Sequence, residues 1–141
     1  LSSVVVWLHR YIELQQFTRW SEKGELLPLD ALEHLIKHPL SNLLVSSEEL
    51  SPLNEALRYN YYYIDYQKIC ALYPQDLPEP LRFLIEPISD KSVLIQRLIT
   101  LLDRLASLSK KKIMMQRRMT QRRRPVTFTT SVCLRSSLSK N

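Results

Sequence analysis

Apolar residues recur at helical spacing in several stretches of this chain, with prolines and polar residues between them. Val4, Trp7, Leu8, Tyr11 and Ile12 follow a helical period, and Leu14 and Phe17 extend the surface. This predicts a first helix capped by Ser2 or Ser3, with Gly24 in the connection beyond its end. The valines at its start are equally compatible with strand. Asp30 followed by Glu33 reads as a cap and its third helical position, for a helix that stops near His38 because Pro39 disfavours helix at the residue before it. Ser51-Pro52 reads as a serine cap with proline at the first helical position, opening a helix that carries Leu53, Ala56, Leu57 and Tyr61. Residues 80–86 have room only for a short helix buried through Leu81, Leu84 and Ile85. Residues 27–42 and 77–90 echo one another once one-residue gaps are allowed, which suggests a duplicated helical unit.

The last helix has the clearest pattern. Ser89 or Asp90 caps it, and Leu94, Leu98, Leu101, Leu105 and Leu108 follow at alternating spacings of four and three. The same heptad continues through Lys112, Met115 and Met119, while Ile95, Ile99 and Leu102 widen the apolar stripe beyond a two-strand seam. Neither glycine nor proline interrupts before Pro125, so the helix is expected over about 90–123, with the segment after Pro125 disordered until bound. The leucines serve either as a docking or dimerisation face or as packing within the same domain.

Composition narrows the fold class. Gly24 is the single glycine among 141 residues, against 8 prolines, which favours helices broken by prolines over a sheet of short hairpins. It also excludes every glycine-rich nucleotide-binding motif. The expected fold is all-α, a small bundle of five or six mostly short helices with a long C-terminal helix running into a basic, partly disordered tail. Cys70 lies in an apolar run and reads as a small buried hydrophobe, while Cys133 lies in the tail, so a disulfide scaffold is not expected. No apolar run reaches the length of a membrane span, and an intracellular location is expected. Leu1 in place of methionine is expected to mark a fragment or a processed form.

Charge divides the chain in two. All 14 acidic residues lie at or before Asp103, where nine Lys or Arg accompany them and leave a net charge of −5. From Arg104 onward there are 11 Lys or Arg and no acid. The expected organisation is an acidic helical domain over 1–109 and a basic tail over 110–141. Lys110, Lys111, Lys112, Arg117, Arg118, Arg122, Arg123 and Arg124 crowd 8 cations into 15 residues. They repel one another in isolation, and phosphate would relieve that repulsion through guanidinium forks and released counterions.

Two local resemblances fall within this tail. Lys110-Lys111, a ten-residue spacer and Arg122-Arg123-Arg124 resemble a bipartite nuclear localisation signal, which implies nuclear entry. Gln121-Arg122-Arg123-Arg124-Pro125 resembles part of the arginine-rich RNA-binding segment of lentiviral transactivators, although the cysteine-rich core of that family is missing. A leucine zipper beside a basic region also resembles the bZIP arrangement, but there the basic region precedes the zipper and here it follows.

Other residues carry less. His34 and His38 have the spacing of a chelating pair on one helix, without the metalloprotease pattern or a third ligand, and read as an ordinary helix-face pair. Tyr59, Tyr61, Tyr62, Tyr63 and Tyr66 form a cluster suited either to stacking bases or to straddling core and surface. No nucleophile motif or paired-carboxylate signature is present, so no enzyme, metal or cofactor is expected. The expected function is a non-enzymatic nucleic-acid-associated protein, whose body docks on a partner while the arm binds the RNA or DNA phosphate backbone without reading sequence. The alternative is a protein–protein adaptor or assembly subunit, possessing a tail for targeting or solubility and a partner or homodimer on the leucine helix.

Overall fold

The computed structural model describes residues 2–140; the side chains of residues 112, 113, 116 and 119–140 lie outside the described set. The chain divides into two compact units, Leu1–Leu105 and Ala106–Asn141. It is mostly helical, with seven helices and a three-stranded antiparallel sheet among the described residues.

The first helix, α1 (Ser3–Phe17), begins where Ser2 Oγ accepts from the Val5 N–H. It buries Trp7, Tyr11 and Leu14 on one face and leaves Val4 and Val5 exposed, so the valine run is helical with its branches turned outward. Trp7 Nε1 donates to Ser41 Oγ at 2.9 Å, which satisfies two polar groups inside the core.

The all-α expectation needs correction here. Residues after Thr18 form a hairpin of β1 (Arg19–Ser21) and β2 (Gly24–Pro28), and β3 (Tyr63–Asp65) pairs with the other side of β2. Gly24 lies in the connection beyond the end of α1, as the sequence indicates, and opens β2 there. Its φ of 134° suits only glycine, and an added Cβ would lie 3.5 Å from Asp65 Oδ1. Leu27 and Ile64 face the core as a cross-strand pair, while Leu26 and Asp65 pair in the alternate register. Strands this short carry too few alternations for a period of two to show in sequence.

The helix α2 (Leu29–Ile36) buries Ala31, Leu32, Leu35 and Ile36. Its N-cap is Pro28 and not Asp30, which sits in the first turn, where a negative charge favours the helix dipole. A backbone rung replaces the side-chain cap: the Leu29 N–H donates to the Tyr62 carbonyl at 2.8 Å. Tyr62, which supplies that carbonyl, sits at φ 63°, a left-handed conformation costing roughly 1–3 kcal/mol for a bulky residue.

Three further helices follow. His38 caps α3 (Pro39–Leu44), its Nδ1 accepting from the Leu40 N–H. The helix α4 (Ser47–Leu57) starts earlier than Ser51-Pro52 predicts. Its cap is Ser46, in a complete capping box with Glu49, and Pro52 lies inside the helix. Asp65 then caps α5 (Tyr66–Ala71).

The helix α6 (Glu79–Ile85) buries Leu81, Leu84 and Ile85 as the sequence indicates. The last helix, α7 (Lys91–Lys140), begins after Asp90, whose carboxylate accepts from the Ser92 N–H. The disorder expected after Pro125 falls on residues whose side chains lie outside the described set. The suggested duplication joins unlike contexts: Leu27 and Pro28 end a strand, whereas Leu77 and Pro78 belong to none.

Two serines separate the competing starts of α4. Ser46→Ala is expected to cost about 1 kcal/mol in urea denaturation, as loss of a cap does. Ser51→Ala should change stability by no more than about 0.5 kcal/mol. The reverse ranking would return the cap to Ser51.

Candidate nucleic-acid interface

The first part of α7 is tied to the body by side chains of α6. Arg97 donates to Glu86 Oε1 at 2.9 Å and to the Phe83 carbonyl at 3.4 Å, with its guanidinium 4.1 Å from the centre of the Phe83 ring. One turn pair further on, Arg104 donates to Glu79 Oε1 at 2.7 Å and lies 4.4 Å from the same ring. Glu79 opens α6 and Glu86, seven residues on, is its C-cap; the arginines are seven apart on α7 and pair with the acids in opposite order, so the two helices run antiparallel. The arrangement supplies cation–π attraction, charge-assisted hydrogen bonds and a donor for an otherwise free carbonyl near the end of α6.

The leucines fall into place beside this clamp. Leu101 and Leu105 are buried in the core, and Leu94 and Leu98 pack against it half-buried. Those four therefore contribute to packing within one copy of the chain. Val93, Ile95 and Ile99 are the exposed apolar residues of this stretch. Leu108, half-buried, belongs to the second unit.

In that second unit Lys110, Lys111, Arg117 and Arg118 are exposed on α7. The side chains of Lys112, Arg122, Arg123 and Arg124 lie outside the described set. Among the described residues none of the four exposed cations has an acidic partner, whereas Arg10, Lys37, Arg58, Arg82, Arg97 and Arg104 of the body all do. Cations free of carboxylates can meet phosphate without first breaking an ion pair.

No protein-family model, no curated protein and no solved structure matches this chain. Its chemistry therefore has to be read from its own side chains.

His34 is exposed, and His38 Nδ1 is occupied by the α3 cap. Burial, and secondarily the Arg10 charge, hold the His38 pKa below its ordinary value, which keeps the capping nitrogen unprotonated. No three His, Cys, Asp or Glu side chains converge among the described residues.

Two open grooves of about 420 Å³ each indent the body. One has Ile36, Leu50 and Leu57 at its base and Glu33, Lys37 and Arg58 among its lining. The other is lined by Tyr66, Cys70, Tyr73, Asp76, Glu79 and Arg82. Burial raises the Cys70 pKa, so the thiol stays protonated and a poor nucleophile. Burial likewise pushes Tyr73 up to about 12, and its hydroxyl is already committed to the Glu49 carbonyl at 2.6 Å.

The tyrosine cluster divides between the two roles expected of it. Tyr66 is buried, and Tyr63 is half-buried under the Arg19 guanidinium, 4.6 Å from its ring centre. Tyr59, Tyr61 and Tyr62 are exposed. Sequence reading missed Phe83, Arg97 and Arg104, although the matched seven-residue spacings of acids and arginines were available as a signal.

The clamp makes the two arginines unequal. Arg97, 12% exposed, is the enclosed one, whereas Arg104 at 34% faces a Glu79 that is 58% exposed. Arg97→Ala is expected to destabilise the body by about 1.5–3 kcal/mol in chemical denaturation. Arg104→Ala should cost about 1 kcal/mol or less. Equal losses would show that the clamp is a surface feature at both ends.

Proposed function

We propose that this chain is a nucleic-acid-associated protein without enzymatic activity, in which an acidic folded body carries a cationic arm that binds phosphate backbone. The observation that carries this reading is the run of exposed cations with no acid after Asp103. Lys110, Lys111, Lys112, Arg117, Arg118, Arg122, Arg123 and Arg124 form the proposed contact set. Guanidinium stays charged at any working pH and matches phosphate oxygens in a fork. Displaced counterions then supply the driving force, which makes binding strongly salt-dependent. Base readout needs side chains held rigidly in a groove, and the arm's own composition supplies charge rather than such a support. The bipartite basic pattern fits nuclear delivery of such a protein.

A second reading has its own observation. Val93, Ile95 and Ile99 are 42%, 57% and 54% exposed on α7 within the body unit. An apolar helix surface of this kind suits an adaptor or assembly subunit docking on a partner protein or a second copy.

Salt titration separates the two. Replacing Arg122, Arg123 and Arg124 together with Gln should weaken binding to unrelated nucleic-acid sequences by similar factors. It should also reduce the slope of log K against log salt by about 2–3. An unchanged slope would move the phosphate site elsewhere. Absence of any binding by the intact protein at low salt would leave the adaptor reading.

A further inference from the structure

We infer that the exposed tyrosines before β3 form a stacking platform for unpaired bases, so that the nucleic acid held by the arm is single-stranded. This rests on the reading of the arm as a phosphate binder and adds the class of strand that it holds.

The platform follows from the sheet. Both β1 and β3 run antiparallel to β2, so both begin at its Pro28 end. Tyr61 and Tyr62 lead into β3 at that end, with Tyr59 just before them at the close of α4. Their backbone is pinned. The Leu29 N–H donates to the Tyr62 carbonyl at 2.8 Å, the Tyr63 N–H donates to the Tyr61 carbonyl at 2.6 Å, and Asn60 Nδ2 donates to the Ala56 carbonyl at 2.7 Å. The rings stay outside: Tyr59, Tyr61 and Tyr62 are 74%, 84% and 84% exposed. Three aromatic side chains on a fixed turn, turned to solvent, meet the requirement for preorganised stacking.

The conformation of Tyr62 adds an independent observation. The Tyr63-to-Tyr61 hydrogen bond closes a three-residue turn around Tyr62, whose φ of 63° belongs to its strained hand. Glycine would satisfy that backbone without strain, and the ring buries almost nothing in the fold. A strained, exposed aromatic in a turn that suits glycine points to a use for the ring outside the fold.

Charge decides what such a surface can take. The sequence through Asp103 carries −5; Arg19 already lies over Tyr63, and Arg58, which directly precedes Tyr59, is paired with Glu55. Phosphate gains little from such a body. Uncharged π faces can still accept bases whose phosphates are neutralised by cations elsewhere in the same chain. Duplex DNA hides its base faces in the stack, so only an unpaired strand can use both features.

The test uses the intact chain, a labelled mixed-sequence single strand of about 16 nucleotides, and its duplex, titrated at several salt concentrations. Replacing Tyr59, Tyr61 and Tyr62 together with Ala should weaken single-strand binding at least about fivefold, leave duplex binding unchanged and preserve both salt slopes. The triple Phe replacement should bind the single strand as the intact protein does, because the π faces remain. Tyr62→Gly should raise the melting temperature and still weaken single-strand binding, a combination that a structural role for the ring does not produce. Unchanged single-strand affinity in the Ala variant, with normal binding to the duplex, overturns the platform while the arm stands, and would assign the tyrosines to a protein partner. Equal losses on both strands overturn it too. No binding of either probe by the intact protein removes the arm reading and the platform with it.

Discussion

The clamp of Arg97 and Arg104 on Phe83 is the interaction that decides where the body ends. It ties α7 to α6 through one aromatic ring and two carboxylates, and it brings Leu101 and Leu105 into the core as part of the same packing. Both arginines are thereby spent on intramolecular partners. Without the clamp the leucine stripe would be an exposed seam, and the charge boundary at Asp103 would fall in the middle of a free helix. With it, all the acidic residues and the cations paired with them belong to one folded unit, and the run of cations without any acid begins after it.

The small sheet has a comparable role within the body. The Leu29 N–H needs an acceptor because Pro28 offers no side-chain cap, and the Tyr62 carbonyl supplies it as the last rung beyond β2 and β3. Tyr62 makes that rung in its strained conformation, and Tyr59, Tyr61 and Tyr62 beside it are exposed. The two functional proposals thus draw on opposite physical resources. The arm offers charge with little shape, and the turn offers shape with little charge.

Much of the helical framework was legible from periodicity. The first helix, the short α6 and the leucine stripe of α7 each repeat apolar residues over enough turns for the pattern to stand out. The strands were not legible, because three to five residues hold at most two alternations, and because a single glycine argued against hairpins that need only one. Ser51-Pro52 misled for a different reason. A proline tolerated inside α4 resembles one at a helix start, and the true box of Ser46 and Glu49 lay five residues upstream. In the candidate site, the basic run was visible as composition alone. Which arginines were already engaged was not, since Arg104 and Lys110 look alike until Glu79 is placed beside one of them.

The separability of body and arm is tested most directly by the thermal unfolding of residues 1–109, followed by circular dichroism beside the intact chain. The clamp, the core leucines and every cap described above lie within that segment. It should melt cooperatively, with a midpoint close to that of the intact protein. A broad, non-cooperative melt would contradict the account and make the basic arm part of the fold.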